Sequence, residues 1–357
     1  MDFDIIIIGL GPAGATLAKL LPASLRVCAI DKKTFADDGF KKPCGGLLAP
    51  DAQKFFASLD LTLPKDILVD PQIFSVRAID LDSGLIRYYR RFYMNLDRER
   101  FDKWLISQIP ARVSLETARC TDIERIDGGF SVSFLRSDGS SGSFTCAHVV
   151  GADGAGSMVR RRFFPGRSIR RYTAVQQWFK DSSTAPFYSS VFDSRRTDCY
   201  SWSLYKDGCF IFGGAYPPKN SRELFEQQKA ALEDYGFHFG APIKTEACVV
   251  YRPSRYGDFH LHKNGAFLIG EAAGLISPSS LEGISYGMKS GYLLAEAFIK
   301  NPKVPQLHYR KKLLPIKLGL MLKLLKCPFM YNRHLRYLVM KSGLTAISML
   351  EPPEKLQ

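Results

Sequence analysis

The stretch Gly9-Leu10-Gly11-Pro12-Ala13-Gly14 limits what this chain can fold into more than any other. Before it runs Asp4-Ile5-Ile6-Ile7-Ile8, a β-branched run suited to a strand buried on both faces. After it, Ala15-Thr16-Leu17-Ala18-Lys19-Leu20-Leu21 reads as a helix, and Arg26-Val27-Cys28-Ala29-Ile30 reads as a second strand ending on Asp31. Strand, glycine turn, helix, strand and acid make one βαβ unit. Gly9 permits the tight turn, Gly11 lets a pyrophosphate approach the backbone, and Gly14 lets helix and strand pack closely. The helix start adds unpaired N–H groups and a positive dipole end. Asp31 supplies an acceptor for a ribose hydroxyl. A glycine fingerprint alone is weak evidence; in this context it predicts a dinucleotide site.

The chain has 357 residues, enough for one large domain or two intertwined ones. Apolar residues make up 46%, which excludes a disordered chain. The net charge of +14 points to an anionic partner, either nucleic acid or a membrane surface. Eight scattered cysteines without a CxxC pair argue against a zinc ribbon. His260 and His262 have no acidic or thiol cluster around them, so no metal site is expected. A start that enters a strand at once argues against a secretory signal, and no run reaches the roughly 18 apolar residues of a spanning helix. The expected compartment is a reducing cytoplasm with free thiols.

Further along, residues 32–50 form a Lys- and Gly-rich loop containing Pro43-Cys44-Gly45-Gly46, followed by a helix over 51–59. Residues 73–81 and 85–93 read as antiparallel strands around Asp82-Ser83-Gly84. Asp97 reads as the N-cap of a helix with Phe101, Trp104 and Leu105 on its apolar stripe. Strands are expected at 114–116, 121–126, 130–135 and 142–146. A strand then runs through His148-Val149-Val150 into Gly151-Ala152-Asp153-Gly154, ahead of a helix over 158–163. Residues 165–250 read as antiparallel sheet, dense in aromatics from Trp178 and Phe187 to Tyr216, with one helix over 221–235. An ordinary core explains many of these rings. A third strand ends in Gly270-Glu271-Ala272-Ala273-Gly274, before Leu281-Glu282-Gly283-Ile284 and a helix over 285–299 with small residues on one side.

Three glycine turns at these separations resemble the flavoprotein fold of p-hydroxybenzoate hydroxylase-like enzymes, with Glu271 where Asp is commoner. Within that fold the chain is similar to the geranylgeranyl reductase family. Lys42-Pro43-Cys44-Gly45-Gly46 matches its K-x-C-G-G motif. Tyr200-Ser201-Trp202-Ser203-Leu204-Tyr205-Lys206 resembles Y-x-W-x-F-P-K, with Leu204 and Tyr205 replacing Phe and Pro. The resemblance covers about residues 2–300. It implies an α/β fold: a discontinuous Rossmann-type FAD-binding domain (1–72, 94–164, 251–300), an inserted antiparallel-sheet substrate domain (73–93, 165–250) and a basic helical C-terminal region (301–357).

The resemblance also implies roles. Gly9, Gly11, Pro12, Ala13, Gly14, Asp31 and Lys32 would hold the ADP half of FAD. Arg98 would contact the pyrophosphate or ribityl region, Asp153 would sit near the cofactor, and Gly270 with Glu271 would meet a ribityl hydroxyl. Gly283 and Ile284 would start a helix aimed at the flavin, where its dipole favours the anionic reduced ring. Gly45 and Gly46 would allow close approach to the ring. Cys44 is either a catalytic proton source beside the ring or a small buried hydrophobe in a tight loop. Tyr200 and Trp202 would line the substrate site, or are core rings.

Between Asn301 and Leu350 there is no Asp or Glu, while Lys303, Arg310, Lys311, Lys312, Lys317, Lys323, Lys326, Arg333, Arg336 and Lys341 are interleaved with Leu and Met. This reads as a basic amphipathic helix, either lying on the inner face of an anionic membrane or capping the flavin domain. No nucleic-acid motif appears. The implied activity is hydride transfer from reduced flavin to a carbon–carbon double bond of an isoprenoid or other apolar substrate. The electrons would come from NAD(P)H or a redox protein. A monooxygenase or halogenase acting on an aromatic ring is the alternative, and a non-catalytic flavin sensor the third reading.

Overall fold

The computed structural model describes residues 1–32, 43–166, 168–180 and 188–350. Lys41 and Lys42 of the loop motif, and Phe187, lie outside the described residues. The chain divides into two compact units: Met1–Lys41, Glu99–Arg171 and Val249–Leu324 form the first, and Lys42–Arg98, Tyr172–Cys248 and Leu325–Gln357 the second.

In the first unit, the strand Phe3–Ile8 lies between two parallel partners, Val27–Asp31 and the second half of Ser141–Gly151. Helices or loops cover both faces, so Ile5, Ile6 and Ile7 are fully buried, which is why the run is continuously apolar rather than alternating. Parallel pairing extends on one side to the start of Ser114–Ile126 and on the other to Ala266–Leu268. Ser114–Ile126 then changes partner and runs antiparallel to Gly129–Arg136, which pairs with the first half of Ser141–Gly151. The expected strands 114–116 and 121–126 are therefore one strand, with a register irregularity between Cys120 and Asp122.

The helix Ile284–Lys300 packs on the glycine-turn helix Pro12–Leu20. Its small residues allow this: a Cβ on Gly291 would lie 2.4 Å from the carbonyl oxygen of Ala13. The next helix, Pro305–Leu324, buries Tyr309, Leu313 and Leu320, and the Tyr309 hydroxyl donates to the Leu268 carbonyl at 3.0 Å.

The second unit holds a larger sheet in which Pro242–Arg252, Arg170–Lys180, Cys209–Tyr216, Tyr200–Lys206, Tyr188–Phe192, Ile73–Asp80, Ile86–Asn95 and Ala346–Ile347 follow one another. From Arg170–Lys180 to Ala346–Ile347 its neighbours are antiparallel except for the parallel pair Tyr188–Phe192 and Ile73–Asp80. The helix Ser221–Leu232 closes one face, with Phe225 and Leu232 packed among Phe179, Phe210, Phe212 and Phe237. Much of the aromatic wall is thus core.

Three boundaries differ from those expected. Residues 43–72 and 94–98 belong to the second unit, because Leu47–Leu48 pairs with Met94 and Asn95. The basic tail is not one body: residues up to Leu324 pack in the first unit and residues 325–350 in the second. Nor is Pro305–Leu324 a simple amphipathic helix, since its apolar residues occupy two faces; Leu307, Leu314, Leu318 and Leu322 are exposed.

In the second unit, Arg333–Ser342 is anchored by Arg336, 3% exposed, which donates to Asp80 Oδ1 at 2.7 Å and also to Asp82. Removing one member of such a set leaves charge buried and unpaired. Arg336→Met is expected to destabilise the protein by about 3–5 kcal/mol, read as the denaturant midpoint. Adding Asp80→Asn and Asp82→Asn should recover part of the loss; no change in Arg336→Met would contradict the anchoring role.

Candidate functional site

In the first unit the glycine turn is shaped by contact with its own backbone. Gly9 has φ +98°, and a Cβ there would lie 2.7 Å from the Ala152 carbonyl oxygen and 2.9 Å from Asp153 Cα. A Cβ on Gly14 would fall 1.9 Å from the Gly9 carbonyl oxygen. Gly11 is different: among the described residues, no atom beyond its chain neighbours lies within 4 Å of where its Cβ would be. Gly11 is also the N-cap of Pro12–Leu20, with no side-chain cap and no acidic residue in the first turn. The helix start therefore presents amides without an intrahelical acceptor to open space. Pro12, Ala13 and Gly14 are buried in that first turn. Asp31, ending its strand, accepts the Leu10 N–H and so ties the turn to the second strand. Lys32 follows at an exposed bend.

The second and third turns converge on the same region of this unit. Asp153 stands beside Gly9 through its Cα. Its Oδ2 accepts the Met158 N–H at 2.7 Å, while its Oδ1 is buried with no hydrogen-bond partner among the described residues. Burial raises the carboxyl pKa. Gly270, with φ +56°, faces Ala13, since a Cβ there would approach the Ala13 Cβ to 3.0 Å. Its N–H donates to Ser290 Oγ at 2.8 Å.

Glu271 reaches the backbone: its Oε1 accepts the Tyr251 N–H at 2.9 Å. The longer side chain thus has a structural task that the expected ribityl contact does not describe. The helix after Gly283 also differs from expectation. Glu282 accepts the Ser285 N–H at 2.8 Å and the Ser285 hydroxyl at 2.9 Å, so a carboxylate already occupies part of the start of Ile284–Lys300. Desolvation raises the Glu282 pKa, opposed by the two Ser285 hydrogen bonds.

Sequence reasoning missed Arg160. It is buried, donates to the Ala272 carbonyl at 3.0 Å and to the Asp258 carbonyl at 3.0 Å, and so holds the third turn in place. Nothing in its setting, Met158-Val159-Arg160-Arg161-Arg162, separates it from its exposed neighbours.

The second unit gathers the other predicted residues. Gly46 has φ +60°, and a Cβ there would meet the Leu96 carbonyl oxygen at 2.4 Å and Lys206 Nζ at 2.6 Å. The Gly46 carbonyl accepts the Leu96 N–H at 3.0 Å, and the Cys44 sulfur accepts the Gly46 N–H at 3.4 Å. Gly45 rests against Trp202 and Leu204, each 3.9 Å from a Cβ placed on it. The Trp202 indole donates to Gln176 Oε1 at 3.2 Å and stands 5.9 Å from the Tyr200 ring, over a slot left by Gly213. Burial, with Tyr188 alongside, pushes the Tyr200 phenol well above its ordinary pKa. Arg98 opens the helix Arg98–Ser107. Cys44, Gly45, Gly46, Tyr200 and Trp202 thus share one region, with Leu204 fully buried as the apolar replacement in the degraded motif.

Lys206 is the unexpected member. It is 5% exposed, and its ammonium donates to Asn95 Oδ1 at 2.9 Å and to the Leu96 carbonyl. Desolvation lowers its pKa to about 8, opposed by Cys44, Asp97 and Asp207. A buried lysine with a lowered pKa costs stability below pH 8, where the folded protein must carry the charge. That cost is relieved as pH rises toward the unfolded value of 10.5. Stability should therefore rise by about 3 kcal/mol between pH 8 and pH 10.5 from this group alone. Lys206→Met should lack the rise, measured as the difference between the two proteins' denaturation midpoints across that range; parallel profiles would contradict the burial argument.

Comparison with known proteins gives the chain its relatives. No protein-family model matches it. Protein CbrA of Escherichia coli O6:H1 is 47% identical over 351 residues, covering 98% of this chain and 96% of that protein. Protein CbrA of Shigella flexneri serotype 5b is 47% identical with the same coverage. Among solved structures, a geranylgeranyl bacteriochlorophyll reductase-like protein from Thermoplasma acidophilum superimposes with TM-score 0.71 at 17% identity, over 97% of this chain and 88% of that one. PqsL of Pseudomonas aeruginosa, a probable FAD-dependent monooxygenase, gives 0.67 at 16% identity, over 95% and 99%. The flavin-dependent brominase Bmp2 gives 0.63 at 17% identity, over 95% and 92%. These likenesses establish an α/β fold of the Rossmann-type flavoprotein class. Near-half identity along almost the whole chain establishes more: the protein belongs to the CbrA family.

Proposed function

We propose that the protein is an FAD-dependent oxidoreductase, and that its reaction is reduction of a carbon–carbon double bond in an isoprenoid or similarly apolar substrate. The observation that carries the cofactor is the pairing of the open, uncapped helix start at Gly11 with the buried, unpartnered Asp153 Oδ1. Both are what a bound dinucleotide would complete. A buried carboxyl oxygen without a partner is costly unless a ligand or water satisfies it. The FAD-dependent and flavin-dependent neighbours of the same fold support the choice of FAD.

Bound FAD supplies the hydride chemistry. The chain's part is to bind and orient. The amides at the start of Pro12–Leu20 would receive the pyrophosphate, and Asp31 would meet the adenosine ribose at the end of its strand. Asp153 would stand beside the cofactor, its buried Oδ1 free among the described residues to accept from a donor on it. Arg160 keeps the third turn in position from below, through the Ala272 carbonyl. Glu282 moderates the positive end of Ile284–Lys300 by capping Ser285.

The substrate reading rests on the second unit. The Cys44-Gly45-Gly46 turn, packed on Trp202 and Leu204, is an apolar surface with one thiol and one ammonium nearby. It is suited to a hydrocarbon chain and offers Cys44 as a proton source. The reductase-like neighbour from Thermoplasma acidophilum supports the same class. NAD(P)H or a redox protein would supply the electrons.

Gly11→Ala separates cofactor binding from folding. Its backbone angles suit alanine and its Cβ meets no non-neighbouring atom among the described residues, so the melting temperature of the cofactor-free protein should not change. The methyl would fill the space the pyrophosphate needs, and FAD affinity should fall at least tenfold, read by titration of flavin fluorescence. Equal affinity would contradict the assignment. The reaction is tested by anaerobic incubation of the reduced holoprotein with a prenyl diphosphate: a product heavier by two hydrogens supports the reductase, whereas a hydroxylated or halogenated aromatic formed from aromatic substrates in air would overturn it.

A further inference from the structure

The helix Pro305–Leu324 has two apolar faces. One, with Tyr309, Leu313 and Leu320, is buried. The other carries Leu307, Leu314, Leu318 and Leu322, spaced by seven, four and four residues so that they fall on one stripe. Their exposures are 59%, 43%, 50% and 63%. A single exposed leucine needs no explanation, but four aligned on one helix mark a contact surface.

Charge says what the surface contacts. Lys311 lies within the stripe and is exposed, as are Lys303 and Arg310 nearby. No acidic residue occurs from Asn301 to Leu350. Glu296, on the preceding helix, is engaged by Lys300, Lys312 and His308 and does not neutralise Lys311 or Arg310. No described helix is long and apolar enough to cross a membrane. An exposed leucine stripe bordered by lysine and arginine, without a spanning segment, matches the chemistry of an interfacial helix. The leucines enter the acyl boundary, and the cations reach anionic headgroups along their flexible stems.

We propose that the Leu307–Leu322 face of this helix docks the protein on an anionic lipid bilayer. The inference is independent of the cofactor and substrate readings. It gives the exposed leucines a partner of matching polarity and explains why a helix already packed on one side keeps apolar residues on the other.

The test is flotation of the full-length protein with vesicles of phosphatidylcholine alone and of phosphatidylcholine mixed with phosphatidylglycerol. The wild type should float with the mixed vesicles, weakly or not at all with the neutral ones, and less as salt is raised. Leu314→Ser with Leu318→Ser, both on the exposed stripe, should keep the wild-type melting temperature and bind the mixed vesicles at least tenfold more weakly. Lys311→Gln should weaken binding about fivefold. Equal flotation of the double variant would overturn the proposal, as would failure of the wild type to bind anionic vesicles. So would a wild-type dimer in sedimentation equilibrium that the double variant loses without any vesicle binding, since the face would then join two copies.

Discussion

The first unit depends on the contact of Gly14 with the carbonyl of Gly9. No side chain fits there, and the helix can approach the strand end only because of it. That approach brings the rest into place. Gly9 leans on Ala152 and Asp153, Ala13 receives Gly270 from the third turn, and the Ala13 carbonyl receives Gly291 from the long helix. Segments separated by more than a hundred residues are thus gathered on six residues of backbone. A methyl at any of these contacts would move the others, whereas one at Gly11 meets no such contact among the described residues. The contrast between the crowded glycines and the open one is the clearest physical sign of what the turn is for.

The opening βαβ unit was fully legible in the sequence, because its signals are local: an apolar run, glycines at fixed offsets, a helix and an acid. The two later glycine turns were legible for the same reason. The long strand Ser114–Ile126 reads as two pieces because it changes partner, from parallel to antiparallel, and the irregularity at Cys120 interrupts its alternation. Period counting follows one environment and loses the thread where the environment changes. The tail misleads similarly. Leucines on two faces of one helix give no single apolar side, so a reading that expects one assigns them all to it.

The residues to which sequence reasoning gave no role of their own are buried charges. Arg160, Arg336 and Lys206 look like solvent-facing cations in a chain of net charge +14. Their partners are carbonyls and carboxylates far away in sequence: Asp258 and Ala272 for Arg160, Asp80 and Asp82 for Arg336, Asn95 and Leu96 for Lys206. Only the fold brings them together. Glu271 and Glu282 make the complementary point. The resemblance implies a cofactor contact for Glu271, which also bonds backbone at Tyr251, and Glu282, given no role there, bonds backbone at Ser285. A motif letter names a place in the turn and not the whole task of the side chain there.

The central claim is that the three turns of the first unit form a cradle for FAD. The most direct measurement is chromatography of the small molecules released when the purified full-length protein is heat-denatured, with absorbance set against protein concentration. FAD is expected at close to one molecule per chain, or, where the protein is isolated without it, uptake of one FAD on reconstitution. Release of NAD or FMN instead, or failure to bind FAD on reconstitution, would contradict it.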